Sequence, residues 1–462
     1  MRFWELVASG AGLINSFLIL SFLSVYHFGL YQLVLAFIGL VGGFNLDQFD
    51  GAISIEMRHY FNRGEKSLAR RIFSEYVVVK LMLAVFLALA VFLGASLIAD
   101  HYRADIGLFI KISSALLIID AALSVERIFL KSVFSFTFFG VTAVRELVKL
   151  VFLTLMVLEG YEISIVSILT VHLLGWLAAL IFLSIFFGRQ YQEVFTKTDS
   201  AWLKLRGAGK FAGRYLLAGI VKTYGKLIMI RYSFARLTKN ATPWLVKFFI
   251  NTEAVGLYSL AVNLIAFIEE LFPINMLSYV FQANVGDRAN LRRIFNRSVK
   301  YALWFGTMAA VAGLVLMPWL IGMILPKYVS ALPLFKLMLA ALPVFGVYKI
   351  FKWLLTALRE YKILAMRTVT EALTILLVLV ITLPAIGLLG AGLAYIAIYL
   401  SRVLFLYPAM VKAHPHLKFH WGEMVKFDQN DKDFMKKFLR HFFSILCGLV
   451  RRIKPTNKLH VL

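Results

Sequence analysis

The chain has 462 residues, of which 61% are hydrophobic, 15% aromatic and only 16% charged, with a formal net charge of +24 and a mean hydropathy of +0.80. That is too little polar material to cover a soluble protein of this length, where about 25% charged residues is usual. Soluble enzymes, disordered tails and coiled coils are excluded, and the single cysteine, Cys447, excludes a disulfide framework or a Cys-based metal site.

Apolar runs approaching 20 residues, without strand-like alternation, predict an all-α integral membrane protein. Twelve spans follow in chain order at 4–24, 28–46, 76–99, 106–130, 137–158, 163–187, 211–233, 254–280, 301–324, 332–358, 369–386 and 390–411. With the N-terminus in the cytoplasm, the inward segments hold 31 Lys and Arg; the outward ones hold Arg103, Arg236, Lys239, Lys247 and Lys327. This bias places both termini inside a multi-pass plasma-membrane protein. It assigns most of the positive charge to anionic lipid rather than nucleic acid. The first apolar stretch lacks a sizeable basic leader and runs straight into another span, so it reads as a retained helix.

The chain repeats itself. Gly29-Leu30-Tyr31 opens the second span and Gly256-Leu257-Tyr258 opens the eighth; Arg70-Arg71-Ile72-Phe73 returns as Arg292-Arg293-Ile294-Phe295, and Glu146 as Glu371. Three matches in order, at offsets of 227, 222 and 225, predict two six-helix halves. Six is even, so the halves are parallel repeats around a central cavity. The expected division is 1–187, a cytoplasmic linker at 188–210, 211–411, and a cytoplasmic tail at 412–462.

Twelve helices in two parallel halves, with Phe28-Gly29-Leu30-Tyr31 and Val255-Gly256-Leu257-Tyr258 opening equivalent helices, resemble the multidrug/oligosaccharidyl-lipid/polysaccharide flippase superfamily. Within it the chain most resembles the O-antigen and exopolysaccharide repeat-unit flippases, over about residues 4–411. Arg58, Tyr60, Asn62, Gly64 and Glu65 in the following loop share that look. The resemblance implies translocation of polyprenyl-diphosphate-linked oligosaccharide from inner to outer leaflet, in a pathway whose glycosyltransferases or polymerase are candidate partners. Lipid II flippases are relatives that carry two further C-terminal spans and an arginine-rich first helix. Here the first span has only Arg2 and Glu5 at its inner end.

Charges inside spans are costly and mark function by default. Lys222/Lys226 and Arg145/Lys149 are spaced i,i+4, and Lys349/Lys352 i,i+3. Each pair shares a helix face and repels itself. A water-filled cavity that holds an anion such as a diphosphate accounts for them, with Lys111 and Arg402 as further members. Asp120 and Glu146 are candidates for ion coupling, or each neutralises a nearby cation. Lys80, Arg127, Arg214 and Arg231 are expected to snorkel, and Glu126–Arg127 and Glu146–Lys149 to read as plain ion pairs. His172 reads as a helix-packing group more than a proton carrier. Trp176, Trp304, Trp319 and Trp353 are expected mostly at lipid or the interface, and Pro273, Pro333, Pro343 and Pro384 at kinks or span ends.

In the tail, His414, His416 and His420 lack a completing ligand, so no metal or cofactor is expected. Residues 431–453 have the pattern of a basic amphipathic helix capped by Asp431. No Gly-rich phosphate loop, HExxH or nucleophile elbow occurs, which disfavours a membrane glycosyltransferase or polymerase. A cation or drug antiporter of the same fold would favour net negative charge in the spans, where the sequence shows positive.

Overall fold

Among the described residues, helix occupies most of each of the twelve predicted spans. A computed structural model describes residues 2–102, 106–135, 137–195, 216–270, 272 and 277–419. The first half comprises α1 (Arg2–Phe22), α2 (Val25–Val41), α3 (Asp50–Asn62), α4 (Lys66–Tyr102), α5 (Gly107–Ser132), α6 (Gly140–Leu158) and α7 (Ile165–Phe195). The second comprises α8 (Leu216–Phe249), α9 (Thr252–Glu270), α10 (Leu277–Asn284), α11 (Arg288–Ile324), α12 (Leu332–Leu339), α13 (Leu342–Ala357), α14 (Tyr361–Ile386) and α15 (Leu388–Ala413). Side-chain caps start some of them: Ser24 accepts from the His27 amide ahead of α2, and Asp287 from those of Ala289 and Asn290 ahead of α11, satisfying otherwise orphaned donors.

Among the described residues, eight helices are long and apolar enough to cross a membrane. The stretch Pro326–Leu339 and α13, bent by 51°, make a ninth. With α1, α6 and α8 the spans number twelve. Charge is concentrated in α6, where Arg145, Glu146 and Lys149 stand within two turns. Large apolar side chains on α4 (Phe86, Leu93, Leu97), α11 (Val315, Trp319) and α14 (Leu377, Ile381) are exposed, as a lipid-facing surface requires. Twelve passes return the end of α15 to the end of the bundle where α1 begins, here the terminal end; the opposite one is the far end.

The repeated glycines meet. A methyl group on Gly29 would collide with the Thr252 carbonyl, and one on Gly256 with the Val25 carbonyl. The starts of α2 and α9 therefore touch backbone to backbone at the far end, as small residues permit. Leu33 and Val34 of α2 and Val255 and Leu260 of α9 are fully buried in the core cluster that joins the halves. The turn after α11 clasps the α1–α2 turn: Lys327 Nζ donates to the Ser21 carbonyl at 2.7 Å, and Tyr328 Oη to that of Leu23 at 3.3 Å.

Several boundaries differ from expectation. The segment read as an outward loop near 235–253 is largely helix, because α8 runs on to Phe249. The inward segment 47–75 folds back as a 3-10 turn, Asp47–Phe49, and α3, packed against α4. The tenth predicted span is broken at Ala340–Ala341, with Pro333 and Pro343 in the first turns of α12 and α13. The span predicted at 254–280 ends as α9 at Glu270; Pro273 lies outside the described residues. So do Arg103, Arg214, most of the linker and the tail from 420, including His420 and the predicted helix at 431–453.

Candidate functional site

Three adjoining cavities lie toward the terminal end; the first two are walled by both halves and the third by the first half alone. The first, about 530 Å³, is walled by Asp47, Asp50, Asp120, Arg127, Lys131 and Arg236, with Ser54, Ser124 and Tyr232. The second, about 380 Å³, lies among α1, α6 and α9, with Arg145, Glu146, Lys149, Asn263 and Glu270 in its walls. The third, about 340 Å³, contains Trp4, Arg127, Lys131, Phe138 and Phe139. They share walls: Arg127 and Lys131 border the first and third, and Ala8, Ser9 and Thr142 the second and third. The polar seam is thus continuous through shared residues of α1, α5 and α6.

Lys80 stands behind the wall of the first cavity and binds the carboxylates that line it. Its side chain is 0% exposed, and its Nζ donates to Asp47 at 2.8 Å, Asp50 at 2.7 Å and Ser124 Oγ at 2.8 Å. The expected snorkelling of Lys80 is therefore corrected. Its partners came from a segment read as a cytoplasmic loop, and burying a cation against two carboxylates replaces the reach to an interface. Asp50 also accepts from Tyr76 Oη and Ser124 Oγ. Arg236 pairs with Asp47 from α8 in the other half. Arg127 pairs with Asp120 at 3.2 Å and not with Glu126, which accepts from Ser184 Oγ at 2.6 Å. Facing cavities, Arg127 is half-buried rather than stretched toward lipid headgroups.

The second cavity gathers the predicted pair Arg145/Lys149 around one carboxylate. Glu146 meets Lys149 at 2.6 Å and Arg145 at 3.0 Å, and accepts from Asn15 at 3.1 Å. Arg145 also lies over the Trp176 ring, 4.9 Å from its centroid. Trp176 therefore faces inward, contrary to the lipid-facing expectation, whereas Trp304 and Trp319 are exposed. Trp176 Nε1 donates to His172 Nε2 at 3.0 Å. With that nitrogen accepting, His172 is held as the neutral tautomer with its proton on Nδ1, beside Tyr31 Oη at 3.5 Å.

The other predicted residues are dispersed. Lys222 is exposed on α8, while the side chains of Lys226 and Arg231 lie outside the described residues. Lys349 sits over Phe345 and Lys352 over Trp353, in none of the three cavity walls. Lys111 stands one turn from the far end of α5, over Phe92. Arg402 is paired with Glu371 and sandwiched between Tyr348 and Tyr399, 4.6 and 4.4 Å from their centroids. Arg367 completes that cluster, 3.7 Å from Glu371. His414 meets Glu360 at 3.1 Å.

The expected cationic surplus is not what these cavity walls carry. Arg127, Lys131, Arg145, Lys149 and Arg236 stand beside Asp47, Asp50, Asp120, Glu146 and Glu270. Sequence reading missed Lys80, Asp47, Asp50 and Arg236 as site residues. The available signal was the run Gly42-Gly43, Asn45 and Asp47 directly after an apolar span, a polar and flexible break at membrane depth.

No family model matches the chain, and no curated protein matches it in sequence. The fold has known counterparts. The lipid II flippase MurJ in an inward-closed conformation superposes with a TM-score of 0.70 over 98% of this chain and 99% of its own, at 14% identity. An inward-facing MATE-family multidrug resistance transporter of the MOP superfamily gives 0.65 over 90% and 95%, at 12% identity. A MOP-superfamily transporter from Pyrococcus furiosus, described by a reversed polarity of its binding pocket, gives 0.54 over 90% and 93%, at 12% identity. The chain has the two-lobed, twelve-helix fold of these membrane transporters.

Proposed function

We propose that the protein is a flippase that moves a polyprenyl-diphosphate-linked oligosaccharide, an O-antigen or exopolysaccharide repeat unit, between leaflets of the plasma membrane by alternating access. The observation that carries this reading is the continuous seam of charged cavities that opens between the halves, where four of the five wall cations, Arg127, Arg145, Lys149 and Arg236, stand in ion pairs rather than in isolation. A diphosphate offers several charged acceptor oxygens and competes with carboxylates for such cations. Arg145 and Lys149 share one carboxylate, so they have capacity for a second anion. Arg127 and Lys131 border a cavity whose other large residues are Trp4, Phe138 and Phe139. Rings beside cations suit a sugar joined to phosphate. Lys222 lies 14 residues before Arg236, on nearly the same face of α8, and provides the approach from the terminal end, which this reading places in the cytoplasm. The prenyl chain stays in lipid throughout.

The test is translocation in proteoliposomes of an undecaprenyl-diphosphate-linked sugar. Arg145→Ala/Lys149→Ala removes two charge-assisted contacts, each worth about 1.5–3 kcal/mol. Transport should fall by about a hundredfold or more with expression preserved. Normal transport by that variant defeats the assignment of this pair. No transport by the native protein defeats the substrate.

Asp47, Asp50 and Asp120 in the largest of the three cavities favour a second reading, an exchanger of organic cations on the same fold. Uptake of a fluorescent organic cation, abolished by Asp120→Asn and accompanied by no lipid translocation, would select it.

A further inference from the structure

Among the ion pairs between described residues, Arg236–Asp47 is the one that crosses from half to half. Its position is built rather than incidental. Arg236 Nη1 also donates to the Gly39 carbonyl at 3.3 Å. A methyl on Gly42 would stand 3.0 Å from Arg236 Nη1, and one on Gly43 3.1 Å from its Cδ. The glycines at the end of α2 thus make room for this side chain. Leu46, immediately before Asp47, has φ 59°, a left-handed conformation that costs a branched residue. The Leu46 carbonyl, 3.0 Å from Tyr76 Oη, shares that hydroxyl's proton with Asp50.

The pair is also easy to exchange. Asp47 uses one oxygen for Lys80 and the other for Arg236. When Arg236 leaves, Asp47 keeps a buried cationic partner, so no lone charge is stranded. Lys80 stays in place through Asp50 and Ser124. Arg236 itself is 28% exposed and borders the same cavity as Arg127 and Lys131. Its planar fork of donors fits a phosphate as well as a carboxylate.

We propose that Arg236 is an exchangeable tie between the halves: it holds Asp47 in the absence of substrate and transfers to the phosphate of an anionic head group in the cavity, freeing the halves at the terminal end. The substrate's own charge thereby supplies the signal for the conformational change. A neutral or cationic compound cannot break the tie in this way. The inference rests on the reading above that the substrate is anionic.

The probe is inorganic pyrophosphate, applied to full-length Cys447→Ser protein in lipid nanodiscs. Nitroxide labels at Arg63→Cys and Lys362→Cys, exposed positions at the terminal end of opposite halves, report the separation. Pyrophosphate should shift the distance distribution of the parent. Asp47→Asn should be shifted beforehand and should bind pyrophosphate about tenfold more tightly, because the competing carboxylate is gone. Arg236→Gln should be shifted beforehand and bind it about tenfold more weakly, and Arg236→Lys should restore part of the response. A merely structural pair would weaken binding in both variants, and that result overturns the proposal. So does an Asp47→Asn protein with the parent's distances and affinity. Opposite affinity changes in a protein that moves no lipid-linked sugar would sustain the tie and remove only the substrate reading. Sugar transport with no affinity change in either variant would do the reverse.

Discussion

Glu146 and Glu371 occupy equivalent places in the two halves, yet their surroundings differ. Glu146 draws both cations, Arg145 and Lys149, from its own helix and stands in a cavity wall. Glu371 takes Arg367 from its own helix and Arg402 from the next, and tyrosine rings enclose the arginine on two sides. The carboxylate recurs at equivalent places while the cations around it come from different positions. One half thereby holds an adaptable polar wall, and the other a closed structural knot. Arg402, grouped with the substrate-facing cations on sequence grounds, belongs to the knot.

The largest expected effect tests the knot. Glu371→Gln strands two guanidinium groups in a buried site and should cost about 3–5 kcal/mol, measured as loss of thermal stability in detergent. A change within experimental scatter would dissolve the contrast between the halves. Next come Gly29→Ala and Gly256→Ala. Each added methyl strikes the opposite helix's backbone, so here the halves should behave alike, each variant losing about 1–3 kcal/mol. Strongly unequal losses would show that α2 and α9 do not meet as equivalents. Glu146→Gln should cost less, about 1–2 kcal/mol, since the cavity offers its cations other partners; pyrophosphate affinity should rise as those cations are freed. Weaker binding would instead assign Glu146 to orienting them. Smallest of all, Lys111→Gln should leave stability within about 0.5 kcal/mol and transport intact, because this lysine lies near the far end, outside the three cavity walls.

Much of the architecture was legible in the sequence, because apolar run length and the Gly-x-Tyr repeat report directly on bilayer thickness and duplication. The glycines carried more than a repeat signature, marking where α2 and α9 touch. The site was less legible. Arg236 lay in a polar stretch that reads as a loop, since hydropathy cannot separate a helix face lining a cavity from a solvated turn. Lys80 looked like a snorkelling residue because its carboxylate partners, Asp47 and Asp50, sit about 30 positions away in a segment that folds back against α4. Spacing along one helix revealed Arg145, Glu146 and Lys149. Contacts between helices, which place Arg236 against Asp47 and Arg402 against Glu371, have no local periodicity to betray them.

The clasp at the far end has a consequence for tolerated variation. Both acceptors, at Ser21 and Leu23, are main-chain carbonyls, present whatever side chains those positions carry. Drift there leaves the fastening's acceptors in place, and only Lys327 and Tyr328 bring the donors. The strength of the fastening is therefore written on one side of the joint, and two neighbouring codons suffice to loosen or tighten it.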